Sequence, residues 1–166
     1  MPGGGHGAAK AGYGPALIDD HTPTPEHARF TRGRLARVLG FGLGLWVLGM
    51  AALVATQGMQ ATLTQMGWFF TKAALLTFGG AYAVLPYVYQ GAVTQHGWLD
   101  ATQMIDGLAL GETTPGPLIM VVAFVGFVGG WQSSELQALF GTNGLFLAGA
   151  LAATVVTWFT FLPSFV

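Results

Sequence analysis

Gly107-Leu-Ala-Leu-Gly-Glu-Thr-Thr-Pro-Gly-Pro-Leu-Ile-Met-Val-Val-Ala-Phe-Val-Gly-Phe-Val-Gly-Gly130 is apolar at both flanks and polar in the middle. Residues 111–117, "GETTPGP", put a carboxylate, two hydroxyls and two prolines between segments fit for a lipid bilayer. Inside hydrocarbon every backbone N–H and C=O needs a partner, so a break in a helix is tolerated only within protein or beside a water-filled cavity. The stretch therefore predicts two half-helices meeting at a site. Thr113 or Thr114 is expected to cap the second half-helix, with Pro115 in its first turn, where a missing N–H costs nothing. Gly116 would let a ligand approach the backbone. Free N–H groups and the positive end of the helix dipole would then face the interior, an arrangement that suits a small anion. The alternative is a plain proline kink in a packed helix. Glu112 argues against it, because a carboxylate in lipid is costly and marks function.

Composition agrees with a membrane setting. Of 166 residues, 52% are hydrophobic and only 8% charged, against about 25% charged in a typical soluble domain. Mean hydropathy is +0.56. The 26 glycines fit transmembrane helices. A net charge of -1 gives no basis for binding nucleic acid, and the absence of cysteine excludes disulfides and thiolate chemistry. No Ser–His pairing or HExxH-type ligand set points to an enzyme. No metal or organic cofactor is implied.

Outward from the break, residues 1–37 read as a flexible cytoplasmic tail without a cleavable signal, ending in Arg29, Arg32, Arg34 and Arg37. His21 and His27 beside Asp19, Asp20 and Glu26 read as solvated tail residues rather than metal ligands, because Pro23 and Pro25 prevent a helical ligand pair. The arginines are a positive-inside signal. Val38 to Thr56 is a first span, with Gly40 and Gly44 spaced for close helix packing. Thr64 to Gln90 is a second, interrupted at Phe78-Gly79-Gly80 and Pro86, with Lys72, Leu76 and Gly79 on one face. Lys72 is either a buried charge partner, of the anion or of Glu112, or a lysine snorkelling to the interface. Residues 91–99, with His96 and Trp98, read as an interfacial connection returning to the cytoplasmic side.

Asp100 with Gln103 predicts a capping box opening a short helix to about Gly111. That helix is too short to cross, with Gln103, Asp106 and Thr113 on its polar face and Met104, Ile105 and Leu108 on the other. Asp106 and Glu112 are the candidate proton or charge-balancing groups. Residues 115–131 resume the apolar pattern with Gly126 and Gly130, residues 132–141 form a polar loop, and Asn143 to Pro163 is the last span. Interrupted helices around an anion are the arrangement expected of secondary transporters.

The segment from Phe78 to Pro117 also resembles the chromate ion transporter family. The resemblance rests on Phe78-Gly79-Gly80, Tyr82, Leu85-Pro86, Gly97-Trp98-Leu99 and Thr114-Pro115-Gly116-Pro117, in order, with "TFLPSF" near the end. It departs at Thr113, where many members have Ala. It covers roughly residues 60–166 and implies an all-α, multi-span inner-membrane transporter half, part of an inverted-repeat architecture. The implied substrate is chromate, with sulfate as a related oxyanion, and the implied activity is efflux conferring chromate resistance. Phe78, Gly79, Gly80, Tyr82 and the 113–117 element become the expected substrate-binding residues together with Lys72. Members work as two homologous halves, so a partner half or a second copy is expected. The chain most resembles a C-terminal half, with residues 38–166 forming a membrane domain that would continue beyond "FLPSF". The competing reading is a non-transporting membrane subunit that assembles with or regulates a complete transporter.

Overall fold

The computed structural model describes residues 31–76, 84–114, 116–141 and 144–165, and these are helical with no strand among them. The elements are α1 (Arg32–Gln57), α2 (Thr62–Leu76), α3 (Leu85–Tyr89) continued by a π-helical turn (Gln90–Gln95), α4 (Ala101–Glu112), α5 (Pro117–Gln132), α6 (Ser134–Phe140) and α7 (Leu145–Phe161), which ends in a 3-10 turn (Leu162–Phe165). The helix α1 and the stretch Leu145–Ser164 are each long and apolar enough to cross a bilayer, and α5 with α6 passes the same test as a pair bent by 72°.

At 26 residues α1 is about 39 Å long, more than the ~30 Å hydrocarbon core. It begins at Arg32 rather than Val38, so Arg32, Arg34 and Arg37 are its first turns and not part of a separate tail. Arg29 lies outside the described residues. Side chains of α1 such as Phe41 and Leu48, each 70% exposed, project away from the other described helices, as a lipid-facing surface requires. The expected packing role of Gly40 and Gly44 is not seen among the described residues: none of them approaches either within 4 Å. Gly49 packs against the Phe159 ring, and Gly42 is the buried residue of α1. Trp46 ties α1 to α2 by donating Nε1–H to Thr71 Oγ1 at 3.0 Å, while the Thr71 hydroxyl donates to the Gly67 carbonyl at 2.7 Å.

The tightest packing joins α5 to α7. A Cβ on Gly126 would stand 2.9 Å from Ala153 Cα, and one on Gly130 would stand 2.6 Å from the Ala148 carbonyl oxygen. From the other side, a Cβ on Gly149 would meet the Phe127 carbonyl oxygen at 2.9 Å. Small residues on both helices let the backbones approach, so dispersion replaces the hydrophobic drive that lipid cannot supply. Gly130 meets Ala148 while Gly126 meets Ala153, so the two helices run antiparallel.

Residues 132–141, expected as a loop, are mostly helix. Ser133 opens α6, its Oγ accepting the Leu136 N–H at 3.4 Å. From α6, Glu135 Oε2 accepts both the Thr62 N–H at 3.0 Å and the Thr62 hydroxyl at 3.2 Å. The carboxylate thereby supplies an acceptor to the start of α2, where backbone donors have no helical partner. This contact places the end of α5 beside the turn between α1 and α2.

Candidate functional site

At the N-terminus of α4, Asp100 Oδ1 accepts the Gln103 N–H at 2.8 Å and Gln103 Oε1 accepts the Asp100 N–H at 3.0 Å. The capping box is formed as the sequence implies, and the helix runs to Glu112. Beyond Glu112 the chain neither kinks nor continues as a span. A continuous helix would separate residues 107 and 124 by about 26 Å. Instead a Cβ on Gly107 would meet the Phe124 ring at 2.5 Å. The chain reverses between Glu112 and Pro117, making α4 and α5 an antiparallel hairpin. At 12 and 16 residues they are about 18 and 24 Å long, so both stop short of a full crossing.

The details of the turn differ from expectation. Thr113 Oγ1 and Thr114 Oγ1 both donate back to the Leu110 carbonyl, at 2.9 and 2.8 Å, so they finish α4 instead of capping α5. Hydroxyls satisfy the last carbonyls of the arriving helix, a common local competition for backbone groups. The N-cap of α5 is Gly116, with no side-chain hydrogen bond, and the proline of the first turn is Pro117. Pro115 lies outside the described residues. Gly116 has φ +88°, a left-handed conformation that glycine adopts freely, and among the described residues only Ile119 Cδ1, at 3.8 Å, would approach a Cβ there. Glycine is thus needed for the reversal itself.

The polar face of α4 points away from α5. Met104, Gly107 and Gly111 are buried, whereas Asp106, Glu112 and Thr113 are exposed. Ile105, expected on the packed face, is 62% exposed. Lys72 is exposed and lines an apolar groove of about 590 Å³ between α1, α2 and the end of the chain, with Leu39, Leu43, Trp46, Thr71 and Leu162. Glu112 is not among the residues of that groove. Phe78, Gly79, Gly80 and Tyr82 lie outside the described residues, as does the face relation of Lys72 to Gly79. Pro86 stands in the first turn of α3, where its missing N–H costs no helical hydrogen bond.

The region 91–99 differs most from its sequence reading. Residues 90–95 are a π-helical turn, and Trp98, expected at the interface, is 6% exposed. It belongs to an aromatic cluster centred on Phe69, whose ring stacks on Tyr87 at 4.9 Å and meets Phe70, Trp98 and His96 edge-on at 5.1, 5.5 and 5.9 Å. His96 stacks on Trp98 at 4.4 Å with the planes 6° apart. Gly91 is glycine because Phe69 occupies the space of a Cβ. A Cβ on Gly129 would stand 3.0 Å from Trp98 Cβ, so the connection into α4 lies near the end of α5, at the same end of the molecule as the α1–α2 turn. That overturns the expected return to the opposite side. The polar residues of 91–99 suggested an interfacial connection, but burial of Trp98 was decided by aromatic residues distant in sequence. Among the described residues no group of acidic, histidine or cysteine side chains could hold a metal ion.

Bilayer-length helices and a hairpin of shorter helices, with no strand among the described residues, define a polytopic helical membrane protein. The sequence profile of the chromate transporter family matches residues 64–166, and the chain belongs to that family. It is 34% identical over 118 residues to a chromate transport protein of Cupriavidus metallidurans, covering 68% of this chain and 25% of that protein. It is 41% identical over 114 residues to a chromate transport protein of Pseudomonas aeruginosa, covering 68% and 26%. An uncharacterized transporter of Bacillus subtilis, YwrA, is 38% identical over 74 residues, covering 44% of this chain and 42% of YwrA. The chain thus spans about a quarter of the length of the chromate transport proteins it matches. No solved structure matches. The family consists of transporters, not enzymes.

Proposed function

We propose that this chain takes part in moving chromate across a bacterial inner membrane, and that the start of α5 at Gly116–Pro117 receives the oxyanion. The observation that carries this reading is the uncapped, glycine-opened helix start at the tip of a membrane hairpin. Free N–H groups of a first helical turn coordinate oxyanions without a full counter-charge, and the helix dipole adds to the attraction. Thr113 and Thr114 border the turn, and Pro117 stiffens its exit into α5. The family resemblance adds Phe78, Gly79, Gly80 and Tyr82 as a second substrate-binding element. Lys72 supplies positive charge on the route, and Asp106 and Glu112 balance charge or carry a coupled proton. Export, with resistance as its consequence, requires a homologous half or a second copy in an inverted-repeat assembly. The N-terminus is cytoplasmic by the placement of Arg32, Arg34 and Arg37.

The test is chromate binding by the full chain in nanodiscs, alone and co-expressed with a homologous half, with sulfate as competitor. Gly116→Val should abolish binding. Gly116→Asn controls for folding, because asparagine tolerates the left-handed conformation while its side chain still obstructs the approach. Thr114→Ala should weaken binding only slightly. Wild-type affinity in both Gly116 variants would exclude the helix start as the site.

A further inference from the structure

Lys72 lies at mid-bilayer depth yet faces out of the chain. Arg37 and Gln57 stand about 30 Å apart along α1, the thickness of the hydrocarbon core, with no charged residue between them. Trp46 lies near the middle of that length, and its indole N–H reaches Thr71, the residue before Lys72. A second measure agrees. The Thr62 and Ser133 hydroxyls meet at 3.1 Å and mark one end of the bundle. Lys72 is about 15 Å along α2 from Thr62. From that depth a lysine stem reaches neither face, so snorkelling does not satisfy this exposed ammonium. Its surroundings are the groove between α1, α2 and Leu162–Pro163, walled by Leu39, Leu43, Trp46 and Trp68. The described residues lining the groove include no carboxylate. A cation at this depth needs an anionic partner or a water-filled cavity, and these walls give water little to bind.

The opposite charge stands at the same depth elsewhere on the surface. Phe124 lies about 14 Å from Ser133 along α5, and its ring faces Gly107. Asp106 therefore sits about 12 Å from the same end, within one helical turn of the Lys72 level. Glu112 lies about 9 Å further toward the hairpin tip and does not match. Thr102, Ile105, Asp106 and Ala109 are all exposed and share one face of α4. A helix with anchors at that spacing is the shape that fills an apolar groove. Within the chain the two surfaces stay apart, because no described residue of α4 lines the groove.

We propose that α4 of one copy of this chain docks in the α1–α2 groove of a second copy, with Asp106 paired to Lys72 across the contact. This rests on the reading that the chain works with a second copy, and it names the surfaces that join. Opposite charge, matching depth and a helix face opposite a groove select that occupant. Paired, each ion offsets the cost of the other in a medium of low dielectric, whereas either one alone is left uncompensated. Both groups lie near mid-bilayer, so their levels match for a second copy of the same orientation and for an inverted one. The charge that Asp106 balances is then the Lys72 ammonium of a neighbouring copy.

The experiment is disulfide cross-linking in membranes between two differently tagged full chains. One carries Leu75→Cys, one turn from Lys72 toward the hairpin tip. The other carries Ala109→Cys, one turn from Asp106 in the same direction, or Thr102→Cys, one turn the other way. Leu75→Cys should join Ala109→Cys between copies of one orientation, or Thr102→Cys between inverted copies. Lys72→Asp in both chains should lower the cross-linked fraction by more than about tenfold, as should Asp106→Lys in both, because like charges then face each other. Combining the two substitutions in each chain should restore the cross-link. So should co-expressing Lys72→Asp chains with Asp106→Lys chains, since every mixed contact then pairs opposite charges. That rescue also shows that the single variants fold. A Leu75→Cys chain that joins neither position, or a cross-link indifferent to charge reversal, overturns the contact. Cross-linking only to a co-expressed homologous half assigns the groove to that half and likewise overturns the second copy. Chromate binding retained without the contact leaves the start of α5 standing as the oxyanion site. A normal cross-link without chromate binding upholds the contact and sinks the oxyanion reading.

Discussion

Single glycines decide how close two backbones come, and their spacing alone does not say which of them matter. Gly126 and Gly40 each belong to a small-residue pair four apart, yet only Gly126 faces another helix, with Ala153 Cα 2.9 Å from where its Cβ would be. Gly126→Leu should therefore destabilise the chain by about 1–3 kcal/mol through overpacking. Gly40→Leu should leave its thermal unfolding in detergent unchanged. Equal losses from the two substitutions would mean that α1 is packed in a way the structure does not have. Asp100 offers a second measurement at this scale. Removing the capping carboxylate with Asp100→Ala should cost about 1 kcal/mol, read as a lower unfolding midpoint, with Asp100→Ser recovering most of it.

Among the elements, the hairpin of α4 and α5 is anchored at its open end. That end is held through Ser133 and Glu135, which reach Thr62 at the start of α2. Glu135→Gln should keep weaker acceptor contacts, whereas Glu135→Ala removes them. Hydrogen exchange of the first-turn amides of α2 should accelerate in the order wild type, Gln, Ala, while the amides of α7 stay protected. Unchanged exchange at Thr62 in Glu135→Ala would show that the helix start needs no partner from α6. The family-like segment Gly97-Trp98-Leu99 also finds its physical reason here. Gly97 supplies a positive φ, and Trp98 and Leu99 turn into the core beside Met66 and Gly129.

For the whole molecule, the packing of α5 between α4 and α7 sets which turns share an end. The α1–α2 turn, the connection into α4 and the α5–α6 junction all lie together, opposite the start of α1. The sequence contains no cysteine, so single substitutions can be labelled without background. Cysteines placed at Gly58, Thr102 and Ser134 should react with an impermeant maleimide from one side of sealed vesicles, and a cysteine at Gly33 from the other. Labelling of Thr102→Cys from the Gly33 side would reverse the hairpin.

The sequence by itself determined the membrane class, the helix of the first span, the capping box at Asp100 and the break at 113–116. These follow from local rules: apolar length, short-range capping and the backbone demands of glycine and proline. It also marked Gly126 and Gly130 as packing residues. Only the tertiary structure decided that the break is a reversal, that Thr113 and Thr114 close α4 while Gly116 and Pro117 open α5, and that Trp98 is core. Each of these depends on contacts between residues far apart in the chain, Phe124 on Gly107 and Met66 beside Trp98 and Gly129 among them. Composition cannot distinguish an aromatic ring at a membrane interface from one filling a protein core, because both burials remove the same apolar surface from water.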